Sequence, residues 1–210
     1  MQQTQQKTLL DQGQGQAFDR RNLSTQSLLL RRTLAASFTG RLTGTRDIRE
    51  ASSTYLLTRN YRLLIYTVQP EISYQPTPSL RLTGTYQHMF KQNTLDAPLP
   101  TVPVPTPAET HPGTFDDLGL EARLSQVSKR TVTAATHFTR VRFDVDPTKL
   151  NSVVAIEILN ALRPGSNFTW NLNVEQRLSN GLNITLAYEG RKAQNLNAVH
   201  TGRMQVAVLF

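Results

Sequence analysis

The stretch Asn167-Phe168-Thr169-Trp170-Asn171-Leu172-Asn173-Val174-Glu175 leads through Leu178-Ser179-Asn180-Gly181 into Leu182-Asn183-Ile184-Thr185-Leu186-Ala187-Tyr188-Glu189, and it decides the fold. Phe168, Trp170, Leu172 and Val174 alternate with Asn and Thr; Leu182, Ile184, Leu186 and Tyr188 alternate with Asn, Thr, Ala and Glu. Successive side chains of an extended chain point to opposite faces, so this period of two predicts two strands with one apolar face each. Asn180-Gly181 accepts the positive φ angles of a tight type I′ turn, the strongest short-range hairpin signal. An antiparallel hairpin is expected, with Asn180 and Gly181 at its turn. Its polar face is mostly Asn, Thr and Glu, whereas water-facing strands of soluble proteins tend to carry more Lys and Glu than Asn and Thr.

The same scheme recurs on both sides of the hairpin. Downstream, Met204, Val206, Val208 and Phe210 alternate with Arg203, Gln205 and Ala207 to the end of the chain. Upstream, Leu64, Tyr66, Val68, Pro70, Ile72 and Tyr74 form one face of a long strand in which Pro70, lacking an N–H, predicts an edge or a bulge. Leu80, Leu82, Gly84 and Tyr86 return after Gln75-Pro-Thr-Pro-Ser79, and Leu118, Leu120, Ala122 and Leu124 form another face. Val132, Ala134 and Phe138 follow, after which Val141, Phe143 and Val145 carry the apolar positions, a phase slip that predicts a bulge near Thr139. Phe38 and Leu42 suggest a further strand, Leu28 and Leu30 a weaker first one.

Residues 1–20, rich in Gln with Gly13 and Gly15, carry no period and read as an irregular lead-in, leaving 21–210 as the structured part. Six prolines between 91 and 114 mark a long loop (Pro98, Pro100, Pro103, Pro105, Pro107, Pro112). Residues 150–162 have helical spacing and end at Arg163-Pro164-Gly165, which predicts one short helix in a loop, with a buried strand as the alternative. The whole is expected to be all-β: an antiparallel up-and-down meander of about nine long strands, as a curved open sheet or a partial transmembrane barrel.

Bulk composition narrows the function classes. Apolar residues make up 38% of the 210 residues, below the usual 45–50% or so that includes Gly, and mean hydropathy is −0.38. A barrel with a wet interior tolerates this, because only alternate residues must be apolar. No stretch approaches the ~20 apolar residues of a transmembrane helix. The polar start Met1-Gln-Gln-Thr-Gln-Gln-Lys7 lacks the apolar core of a signal peptide, so export requires that the chain continue a longer one. There are no cysteines, which excludes disulfides, zinc-thiolate sites and a cysteine nucleophile. The net charge of +8 is dispersed as single and paired residues among apolar ones, a pattern that argues against nucleic-acid binding.

Connection lengths alternate: short near 33–36, 76–79, 128–130 and 179–181, long near 46–60, 91–114, 146–166 and, moderately, 190–198. Transmembrane barrels sort their connections in this way, with short turns on one side of the membrane. Nine strands would make the first enter on the long-loop side, whereas single-chain bacterial barrels have even strand numbers. Missing upstream strands of the same barrel are therefore expected.

The closing strand with its terminal Phe210 resembles the last strand of bacterial outer-membrane β-barrels. The segments Ala161–Trp170, Leu182–Arg191 and His200–Val206, with the final Phe210, resemble the C-terminal region of large, mostly uncharacterised outer-membrane β-barrel proteins of Bacteroidota type, best over about residues 60–210. The resemblance implies a Gram-negative cell outer membrane and an assembly signal at Met204, Val206, Val208 and Phe210, read by the barrel-assembly machinery. It implies no substrate. Phe168, Trp170, Leu172, Val174, Leu182, Ile184, Leu186 and Tyr188 are then expected to face outer-membrane lipid, in a wall serving as pore, conduit or scaffold. The competing expectation is a soluble β-barrel or sandwich that binds a lipid or other apolar ligand.

Catalytic chemistry has little footing. Asp116 and Asp117 are adjacent and should point to opposite faces of a strand. The four histidines are scattered without metal-ligand spacing, and a barrel-resident lipase would need His137 or His200 as the base of a Ser/His/acid set. Asp144, Asp146 and Glu157 lack the spacing of a calcium loop. No enzyme, metal or cofactor is expected.

Overall fold

The period of two becomes ten strands in a computed structural model, which describes residues 2–11, 16–53, 60–93, 112–126, 129–143, 157–159, 162–178 and 181–208. They are β1 (Gln2–Asp11), β2 (Gln16–Ala35), β3 (Phe38–Ser53), β4 (Tyr61–Thr77), β5 (Leu80–Asn93), β6 (Gly113–Gln126), β7 (Arg130–Phe143), β8 (Gly165–Arg177), β9 (Leu182–Ala193) and β10 (Val199–Val208). Each pairs antiparallel with the next, so sheet order is chain order. Among the described residues no ladder joins β1 to β10, and the sheet is open. Lengths run from 10 residues in β1 and β10 to 20 in β2, against about five or six for a common soluble strand.

Strands β2 to β10 are the nine read from alternation. β1 comes from the segment expected to be irregular, pairing from Gln2↔Thr25 to Asp11↔Gln16. Its residues, Gln, Thr and Lys for most of its length, leave no apolar period to detect, while backbone pairing needs none. With β1 included, the chain enters from the short-turn side. The parity of nine strands therefore no longer points to missing strands; the edges of β1 and β10, unpaired among the described residues, bear on that instead.

The phase slip in β7 is not a bulge near Thr139. Its register is continuous from Gln126↔Arg130 to Gly113↔Phe143 on one side and from Arg130↔Gln176 to Val141↔Gly165 on the other. What changes is the face that must be apolar. Val141 and Phe143 point away from Val132, Ala134 and Phe138, into a small core near the long loops. There Leu63, Ile65 and Ile158 are at most 2% exposed, and Phe115, Val141 and Leu159 form an adjoining cluster, both touching Met89 and Phe143. Ile158 and Leu159 come from a helical turn at 157–159, the described part of the helix expected within 150–162; residues 150–156 and 160–161 lie outside the described residues. Fully burying one such side chain contributes about 1.5–3 kcal/mol, so this core is modest for a sheet of ten strands.

Pro70 causes a local interruption. It pairs with Leu42 of β3, but the β4–β5 ladder passes from Val68↔His88 to Glu71↔Thr85 without it. The β8–β9 connection also departs from a two-residue type I′ turn. Leu178 N–H donates to Leu182 O at 2.8 Å and Gly181 N–H to Leu178 O at 3.3 Å, leaving three residues between the paired leucines. Gly181 has φ +79°, the left-handed conformation that glycine adopts without a Cβ penalty. Asn180 lies outside the described residues.

Candidate functional site

Directly opposed residues of neighbouring strands share a face, so the ladders carry one face across the sheet. Leu30 stands opposite Leu42, Leu42 opposite Pro70, Tyr74 opposite Leu82 and Tyr86 opposite Leu118. Leu118 stands opposite Phe138, Phe138 opposite Phe168, Leu172 opposite Tyr188 and Leu186 opposite Met204. All eight residues expected to face lipid fall on this surface, as do Met204, Val206 and Val208. Phe210 lies outside the described residues.

This surface is apolar and open. Met204 is 66% exposed, Leu120 58% and Ile72 56%. On the other face even small polar groups are shielded, with Thr67 8%, Ser73 7% and Asn167 7% exposed. The helical turn at 157–159 also packs there. That asymmetry makes the polar face the inner one of a curved sheet. A soluble protein arranges its two faces the opposite way, with large apolar groups inside.

Inner side chains form polar ladders. Asn167 opposes Thr139, Asn173 opposes Thr133, and Asn183 opposes Arg177. His137 Nδ1 lies 2.9 Å from Asp117 Oδ2, and the Thr139 hydroxyl donates to the same carboxylate. Lys91 is 1% exposed; its ammonium donates to Glu157 O at 3.0 Å and lies 5.1 Å from the Phe115 ring centroid. Asp116 and Asp117 take opposite faces, as alternation requires. His137 has an acid partner, but the hydroxyl beside it is Thr139, already committed to Asp117. His200 faces outward and bonds the Tyr188 hydroxyl at 2.7 Å. Neither histidine has a serine hydroxyl among its hydrogen-bond partners in the described residues.

Aromatic and mixed polar groups fringe the apolar surface. Trp170 lies across the backbone of Gly190, directly opposite it, where any Cβ would collide with the indole. Tyr86 O–H donates to Asp116 Oδ1 at 2.8 Å, and His88 Nδ1 is 2.8 Å from the same oxygen. At the short-turn end Phe38 stacks on Tyr74 with ring centroids 4.4 Å apart. Aromatic groups with a polar tip suit a boundary between water and an apolar medium.

Sequence reading missed one inner-face group. Arg31, Arg41 and Arg81 look like dispersed cations along the chain, yet the meander brings them to one recess of about 460 Å³ beside the turns 36–37 and 78–79. Only strand order and register reveal that cluster.

No family model matches the chain, and no curated protein matches it in sequence. Among solved structures it is similar to the outer-membrane expressed OmpT of Vibrio cholerae, with TM-score 0.54 and 8% identity over 90% of this chain and 54% of that one. It is also similar to the translocator domain of the autotransporter NalP from Neisseria meningitidis, with TM-score 0.35 and 15% identity over 99% of this chain and 86% of that one. The chain thus spans about half the length of the OmpT it matches. At 8% identity that likeness shows the fold: an antiparallel sheet of the β-barrel kind.

Proposed function

We propose that this chain is part of the wall of an integral outer-membrane β-barrel, the C-terminal part of a large barrel like those of Bacteroidota type that it resembles. The observation that carries the reading is the exposed apolar face running from β2 to β10. Leaving that face in water would cost about 25 cal/mol per Å² of apolar surface, a loss the small inner core does not offset. Covered by lipid, the same face becomes the main source of stability, and the Asn- and Thr-rich face lines an aqueous lumen as pore or conduit. The edges of β1 and β10 carry N–H and C=O groups that lipid cannot satisfy, each costing several kcal/mol. They fit pairing with further strands of the same barrel. Met204, Val206, Val208 and Phe210 then present the terminal pattern that the assembly machinery would read.

Membrane fractions of the producing cell test the reading. Alkaline carbonate should leave the protein in the outer-membrane pellet, and detergent should extract it. Release by carbonate alone would contradict an integral position.

A further inference from the structure

We propose that the recess on the inner face at the short-turn end binds a small oxyanion carrying phosphate or several carboxylates. The sheet places Arg31 directly opposite Arg41 and Arg81 directly opposite Arg123, all four on the inner face. Like charges directly opposed across a ladder destabilise the pair, so two such pairs are a cost that the fold alone does not require. Among the described residues one carboxylate forms an ion pair with any of them: Glu71, opposite Arg41 and 3.6 Å from its guanidinium. Among the described residues Arg31 and Arg123 have no ion-pair partner.

The recess itself is lined by Arg31, Arg41, Arg81 and Glu71, three cations and one carboxylate, a balance of +2. Ser73 anchors Arg81 through hydrogen bonds of 3.1 and 3.3 Å from its guanidinium to the hydroxyl, which fixes one fork of donors. Thr39 and Thr77 add hydroxyls to the same wall. Planar guanidinium forks match phosphate and carboxylate oxygens two at a time, and the volume of about 460 Å³ exceeds that of a single inorganic ion. The site faces the polar side of the sheet, so its ligand is a soluble anion rather than a lipid headgroup. The inference rests on register and does not depend on whether a membrane covers the opposite face.

Equilibrium dialysis of radiolabelled pyrophosphate tests it, using protein extracted from cells with whatever strands it assembles with, at low salt. Saturable binding is expected, weakened about tenfold or more by Arg31→Gln and by Arg81→Gln. It should be largely retained in Arg203→Gln, which removes an inner-face charge on β10. Arg81→Lys, which keeps the charge and loses the fork, should fall between. Unlabelled pyrophosphate should displace the probe, and dispersed phosphatidylglycerol should not. Absence of saturable binding, equal loss in Arg203→Gln, or displacement by the lipid alone would overturn the proposal, and none of these results would alter the carbonate test.

Discussion

Leu186 shows what one residue decides in this fold. It stands between Val174 of β8 and Met204 of β10 on the outer face, where Leu186 is 42% and Met204 66% exposed. Thr185, one position earlier, opposes Glu175 and Gln205 on the inner face. If lipid covers the first surface and water the second, the two positions must answer a charge in opposite ways. Leu186→Arg, like Ile184→Arg, should destabilise the assembled protein by ~2–4 kcal/mol in urea-induced unfolding from lipid vesicles. Thr185→Arg should cost far less, and equal losses at 185 and 186 would remove the distinction between the faces. The neighbouring residue types made the two faces legible in the sequence. Their expected direction came from the resemblance to outer-membrane barrels, because alternation says which residues share a face and is silent on which face turns inward.

Elements were legible where one face was apolar and hidden where neither was. β8, β9 and β10 follow from Phe168 through Val208 with the expected pairing. β1 escaped because Gln2 to Thr8 offers no contrast between faces. The slip at Val141 was visible but misread: near the long loops the inner face becomes apolar to receive Ile158 and Leu159, and a strand can change its apolar face without an extra residue. The Arg31, Arg41 and Arg81 recess was invisible for a related reason, since cross-strand neighbours are remote in the chain. At the scale of the element, β10 also carries the proposed assembly signal. Deleting Phe210 from the full-length protein should lower its outer-membrane level several-fold while synthesis, measured by pulse labelling, stays constant. An undiminished outer-membrane level would leave Phe210 without a role in assembly.

For the whole molecule, the open order β1 to β10 is the decisive property. A sheet whose two edges are unpaired among the described residues, and whose outer face is apolar, meets the needs of neither water nor lipid alone. The 210-residue chain by itself should oligomerise or aggregate in detergent and lack heat-modifiable migration; a monomeric, heat-modifiable species would mean that β1 and β10 close on each other. The central claim, lipid outside and water inside, has a more direct test, because the chain contains no cysteine and single spin labels can be placed without background. Labels at 182 to 188 and 203 to 207, in protein assembled in membranes, report collision with oxygen in lipid and with a water-soluble nickel chelate. Even positions should favour oxygen and odd positions the chelate, with a period of two through both strands. Chelate access at 184, 186, 204 and 206 equal to that at 183, 185, 203 and 205 would contradict it.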